Sequence, residues 1–137
     1  MALRDGGCHV LSSDQRICAA VGDRYVYADV VAVCGGLKTE PGTKDVLANP
    51  CIVVEVLSRS TEAYDRCEKW EAYQRLPSLT DYLLVSQGST RVEQYRREAD
   101  GWWRYRSYGA GESVALANGA AVAVDEVYRG AFELAGD

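Results

Sequence analysis

Apolar residues along this chain fall mostly into short runs of strand length, and helical spacing occurs in one place. Residues 25–34 and 51–57 are valine-rich and alternate only partly, as expected for strands buried on both faces. Pro50 precedes the second run, where a proline at the start of a strand removes no interior ladder bond. That run, Ile52-Val53-Val54-Glu55-Val56-Leu57, is the expected centre of a sheet.

Before it, Cys8, Val10 and Ile17 are separated by Ser12-Ser13-Asp14, which predicts a short extended piece, a turn and a strand over 15–20. Gly22-Asp23 predicts a turn, and Gly35-Gly36 ends the next strand. Residues 37–49 form a polar loop containing Pro41 and Gly42, long for a hairpin connection.

Helical spacing follows the central strand. Trp70, Tyr73 and Leu76 recur at i, i+3 and i+6, giving one apolar face to lie on the sheet, and Pro77 stops the pattern. Asp65 with Glu68 three residues on fits a capping box with a helix start near Arg66, and Ser60 is a second candidate cap. Three strands are then expected at 82–86, 91–97 and 102–108, with Asp100-Gly101 as a hairpin turn between the last two. Residues 113–116 and 121–124 predict a short ribbon, and 125–128 a capped terminal turn.

The 137 residues fit one domain with a composition ordinary for a globular protein. No run approaches the roughly 20 apolar residues of a membrane span, and the N-terminus lacks the apolar core of a signal peptide, so a cytoplasmic, non-membrane address is expected. A net charge of -5 argues against a broad electrostatic grip on nucleic acid, so any DNA contact must be local. Arg91, Arg96, Arg97, Arg104 and Arg106 are interleaved with Glu93 and Glu98, a pattern that fits a solvated sheet face of mixed charge better than a nucleic-acid patch. The five cysteines form no C-x-x-C pair and the single histidine, His9, has no partner at zinc-finger spacing. They are expected to act as small hydrophobes.

Chemistry concentrates in three residues. Glu55 is flanked on both sides by valine and leucine, and a carboxylate there requires a partner. Asp29 begins the apolar part of the preceding strand, as a metal ligand or as an ordinary strand-start carboxylate. Lys69 lies on the helix, able to reach a site or to pair with Asp65 at i, i+4. Two carboxylates on neighbouring strands, with the peptide carbonyl of Val56 as a third oxygen, would suit magnesium or manganese, which prefer hard oxygen ligands and retained waters.

The succession Tyr27-Ala28-Asp29-Val30, Leu47-Ala48-Asn49-Pro50, Val54-Glu55-Val56-Leu57-Ser58-Arg59-Ser60-Thr61, Tyr64-Asp65-Arg66, Lys69, Tyr73 and Tyr82-Leu83-Leu84-Val85 resembles the Uma2 family. The resemblance implies a restriction endonuclease-like, PD-(D/E)xK α+β fold: a mixed β-sheet, one main helix after the central strand and a β-hairpin extension. It also implies Mg2+- or Mn2+-dependent cleavage of DNA, with Asp29, Glu55 and Lys69 catalytic and with Asp29, Glu55 and Val56 holding the metal. Leu57 then stands where many relatives of the superfamily carry lysine, and Lys69 supplies that charge from the helix. Asp65 is assigned to helix capping and Tyr73 to support of the site. Ala28 replaces the usual proline before the aspartate. Family members generally carry a further N-terminal segment that residues 1–7 do not supply, so 1–137 is expected to be one N-terminally short domain whose exposed sheet face or edge favours a homodimer. A catalytically inactive, self-associating domain is the alternative function.

Overall fold

The computed structural model describes residues 8–20, 24–36, 38–39, 41–42 and 47–129, with Ile17 and residues from Asp29 onward described to their side chains. The strands are β1 (Cys8–Ala20), β2 (Arg24–Cys34), β3 (Ile52–Val56), β4 (Asp81–Val85), β5 (Arg91–Arg97), β6 (Trp103–Gly109), β7 (Ser113–Ala115) and β8 (Ala121–Ala123). Helix α1 spans 62–73 and a terminal helical turn, α2, spans 124–129. The first six strands form one sheet in chain order. Every neighbouring pair in it is antiparallel except β3–β4, which is parallel because α1 provides the crossover between them.

The two faces of this sheet explain the apolar runs. On one face Val31, Val33, Val53, Tyr82 and Leu84 pack under Ala72, Tyr73 and Leu76, at the end of α1 and beyond it. The other face, with Ala32, Ile52, Leu83, Val85 and Val92, is covered by Val114, Leu116, Val122 and Val124 from the β7–β8 ribbon and the start of α2. With both sides covered, β4 is buried at every position, and alternation disappears from the sequence. Trp70 joins the helix to the hairpin, stacking on Tyr95 at 4.3 Å and meeting Trp103 edge-on at 4.8 Å between ring centroids.

Three local expectations change. Ser12-Ser13-Asp14 is no turn: β1 runs through it, and the polar residues coincide with a register shift between Ser12 and Gln15 against β2. Helix α1 begins earlier than Asp65, because Ser58 and Thr61 form the reciprocal box. Ser58 Oγ accepts from the Thr61 amide at 3.2 Å, Thr61 Oγ1 accepts from the Ser58 amide at 3.3 Å, and Glu62 already donates to the Ser58 carbonyl. Neither Asp65 nor Ser60 is the cap. At the other end the regular helix stops at Tyr73, before Pro77, where Arg97 donates to the carbonyls of Gln74 and Leu76.

The hairpin turn at Asp100-Gly101 forms as expected, with Gly101 at φ 91°, a conformation costly for any residue bearing a Cβ. Cysteines divide by position: Cys34 is disulfide-bonded, Cys51 is partly buried with its Sγ 2.8 Å from Cys34 Sγ, and Cys67 is exposed on α1. No described helix is long and apolar enough to cross a membrane.

Candidate active site

Register brings the acids together. Val31 pairs with Val53 and Val30 with Val54, so one further step along each strand brings Asp29 level with Glu55. By strand alternation both share the face that carries Val31 and Val53, which is the face α1 covers. The paired register ends at Val30, and Asp29 completes the edge with its side chain: Oδ2 accepts from the Val56 amide at 2.7 Å. Asp29 is thereby fixed against the backbone of the residue that follows Glu55.

Glu55 is 2 % exposed. Its Oε2 accepts from Lys69 Nζ at 2.9 Å and from the Tyr73 hydroxyl at 3.0 Å, two donors one turn apart on α1. Burial pushes the Glu55 carboxyl up to about 8; Lys69 opposes that rise, and the nearby carboxylates of Asp29 and Asp65 add to it. Tyr73 is itself fully buried, with its hydroxyl pushed well above the ordinary tyrosine range by burial and by Glu55.

Asp65 belongs to this cluster and does no capping. The middle of α1, Asp65–Lys69, is a π-helical turn, and Asp65 is 3 % exposed with Oδ1 3.6 Å from Lys69 Nζ. The wider turn offers the Asp65 carbonyl to the side, where it accepts from the Tyr82 hydroxyl at 2.8 Å. Burial raises the Asp65 carboxyl, against the pull of Lys69 and of a hydrogen bond from Thr61. Lys69 therefore bridges Glu55 and Asp65, and the i, i+4 pairing with Asp65 open from the sequence is present. Sequence spacing gave a sign of this in the i, i+4 relation of Asp65 and Lys69, but nothing local distinguished a buried Asp65 from a cap.

A second ion pair lies in the same row of the sheet, since Glu55 pairs with Leu84 and Leu84 with Glu93. Glu93 is 2 % exposed, gripped by both arms of Arg66 at 3.0 and 2.6 Å and by the Tyr105 hydroxyl at 2.5 Å. The expected solvated face of mixed charge fails at this position. Arg96 and Arg104 do lean on Glu98, and Arg106 on Glu112, at the surface.

Tyr73→Phe removes one of the two donors to a buried carboxyl and is expected to lower stability by about 1–3 kcal/mol while the protein stays folded. Urea unfolding of the two proteins measures it; equal midpoints would show that the hydroxyl does not hold Glu55.

Among the described residues no group of three or more His, Cys, Asp or Glu side chains is arranged to hold a metal ion. The oxygens that register and hydrogen bonding place at this end of the sheet are those of Asp29 and Glu55, beside the strand backbone at Val56. Hard oxygens of this kind, completed by waters, fit magnesium or manganese better than a softer metal.

The sequence profile of Uma2, described as "Putative restriction endonuclease", matches residues 1–128. The chain belongs to the Uma2 family. Two relatives from Synechocystis sp. are uncharacterized: slr1290 is 40% identical over 128 residues, covering 92% of this chain and 66% of that protein. The second, sll1609, is 31% identical over 103 residues, covering 75% of this chain and 58% of that protein. The chain thus spans roughly two thirds or less of either relative's length. Among solved structures, a putative nuclease belonging to DUF820 from Anabaena variabilis superposes with a TM-score of 0.71 at 12% identity, covering 93% of this chain and 72% of that one. The likeness at that identity is one of fold. This Uma2 chain has the restriction endonuclease-like α+β architecture, with its main helix after a central strand and its β5–β6 hairpin beyond.

Proposed function

We propose that the chain is a metal-dependent endonuclease that hydrolyses phosphodiester bonds in DNA. The observation that carries this reading is Glu55: a carboxylate buried in the central strand, held by Lys69 at 2.9 Å, beside an Asp29 fixed on the adjoining strand, in a chain of the Uma2 family. Asp29, Glu55 and the Val56 carbonyl would hold Mg2+ or Mn2+, which when bound neutralises charge on the scissile phosphate and acidifies a water. Glu55 and Asp29 present oxygens on one sheet face. Lys69 brings an ammonium to the same point, where it stabilises negative charge developing on phosphorus-bound oxygens as water attacks and the bridging P–O bond breaks. Tyr73 and Asp65 hold Glu55 and Lys69 in place. In this reading the protein works in the cytoplasm.

The test is nicking of supercoiled plasmid by the purified chain with manganese, magnesium or a chelator. Metal-dependent nicking supports the reading; no cleavage of single- or double-stranded DNA, with no manganese binding by calorimetry, ends it. A second reading, a non-catalytic self-associating domain, is favoured by β6, a seven-residue sheet edge whose residues 104–107 are exposed and whose outer backbone offers pairing to a second copy. Light scattering would show a homodimer unchanged by metal in a protein that cuts nothing.

A further inference from the structure

Because β3 and β4 are parallel neighbours, the turns leaving their carboxyl ends lie side by side. One is the run Leu57-Ser58-Arg59-Ser60-Thr61 leading into α1; the other is Ser86-Gln87-Gly88-Ser89 leading into β5. Between them is an open cavity of about 450 Å3, lined by Leu57, Ser58, Arg59 and Glu62 on one side and by 86–89 on the other. Crevices at the carboxyl ends of parallel strands are where open sheets commonly receive ligands. This one begins two residues beyond Glu55, with Leu57 on the same sheet face as Glu55.

Charge decides what it would hold. Arg59 is exposed at this cavity and forms no ion pair with a described residue, whereas Arg66, Arg75, Arg91, Arg96, Arg104 and Arg106 each have a glutamate. Glu62, the carboxylate of the lining, is held by Arg66 Nε at 2.7 Å, the guanidinium it shares with Glu93, so its charge is turned toward Arg66 and only partly offset. The rest of the lining is Leu57, Gln87, the hydroxyls of Ser58, Ser86 and Ser89, and Gly88, where an added Cβ would meet nothing within 4 Å.

Both walls are fixed. Ser58 and Thr61 are locked by their reciprocal hydrogen bonds, and the second turn is held by the Tyr128 hydroxyl, which accepts from the Arg91 amide at 3.0 Å and lies within hydrogen-bond reach of the Ser86 and Ser89 carbonyls. A rigid, hydroxyl-lined pocket with one unpaired guanidinium suits a phosphate better than an apolar ligand or a cation. In a chain of net charge -5, a local contact of this kind is also what a polyanionic strand requires.

We propose that this cavity binds a backbone phosphate of the DNA strand next to the one cleaved at Glu55, with Arg59 as its cationic contact. The proposal rests on the nuclease reading for its ligand, and binding tests it without cleavage. Anisotropy of a fluorescein-labelled 12-nucleotide single strand, titrated with the whole chain in chelator, compares wild type with Arg59→Ala, Ser89→Glu and Arg75→Ala. Arg75 is exposed near the far end of α1 and controls for the loss of one positive charge. Arg59→Ala and Ser89→Glu are expected to weaken binding about five- to tenfold, Arg75→Ala less than twofold, with melting temperatures unchanged. The slope of log Kd against log salt should fall by about 0.7 in Arg59→Ala, the loss of one single-strand phosphate contact. Inorganic phosphate at millimolar concentration should compete in wild type and not in Arg59→Ala.

An Arg59→Ala protein no weaker than Arg75→Ala overturns the proposal, as does a wild type that does not bind the strand. Arg59-dependent binding by a protein that never cuts with manganese leaves the phosphate site standing and removes the nuclease reading. Manganese-dependent cutting with Arg59-independent binding does the reverse.

Discussion

Lys69→Met is expected to lower metal-dependent DNA cleavage by roughly 10²–10³-fold while leaving manganese binding in place, the loss seen when one preorganised charge-stabilising donor is removed from a transition state. Glu55→Gln is expected to lose both, because an amide of the same shape brings no charge to a cation. The two substitutions separate roles that the geometry joins, since Lys69 Nζ and Glu55 Oε2 are 2.9 Å apart. If Lys69 only neutralised a buried acid, its loss would be felt in stability, and cleavage per folded molecule would stay near wild type. If it acts on the phosphate, cleavage falls at saturating metal in a protein that is fully folded. Manganese calorimetry and single-turnover nicking, each with a melting curve at the same pH, read the difference. A Lys69→Met protein that cuts at the wild-type rate would remove Lys69 from the chemistry.

The central acid was legible because hydrophobic runs make an exception conspicuous. Glu55 between valines has no cheap way to be buried, and only a distant partner on the next helix resolves it. The helix after the central strand, the hairpin at Asp100-Gly101 and the short ribbon near the end followed from apolar period and turn chemistry, whereas the mixed sheet was implied only by the family resemblance and the ribbon's place over the sheet was not foreseen. What stayed hidden depended on contacts far along the chain. Glu93 sits among arginines in an alternating strand and looks like surface, yet its partner Arg66 is 27 residues away on α1. Asp65 carries a real capping pattern with Glu68, but the Ser58–Thr61 pair starts the helix a turn earlier and leaves Asp65 inside, in a π turn that no local propensity announces. The stretch Ser12-Ser13-Asp14 misled for a related reason: a register shift inside a strand and a reversal of chain use the same residues.

Stability of the metal-free protein is expected to fall as pH rises from about 5 to 8, and Glu55→Gln to abolish most of that fall. The sign follows from proton binding. Glu55 titrates near its ordinary 4.5 when unfolded and at about 8 in the fold, so between those values the native state holds a proton that the unfolded chain has released. Its contribution is therefore full below the lower value and is lost as pH climbs through the upper one. At 1.36 kcal/mol per unit the whole span is on the order of 5 kcal/mol. Asp65 and Asp81, also raised by burial, contribute in the same direction, whereas Glu93, lowered by Arg66 and Tyr105 despite its burial, adds stability that is lost only as pH falls below the ordinary glutamate value and leaves this window untouched. The comparison with the glutamine variant isolates Glu55, because the other groups are common to both proteins. Under the metal-binding reading, saturating manganese should flatten the wild-type curve at high pH, since a cation that binds only the native state adds about 2.7 kcal/mol at a hundred times its Kd. It should do nothing to Glu55→Gln. Melting curves from pH 5 to 8, with and without manganese, give all four lines. Parallel wild-type and variant lines would mean that Lys69 already holds Glu55 ionised at neutral pH, and that the acid at the centre of the sheet is a settled ion pair with no demand for a metal.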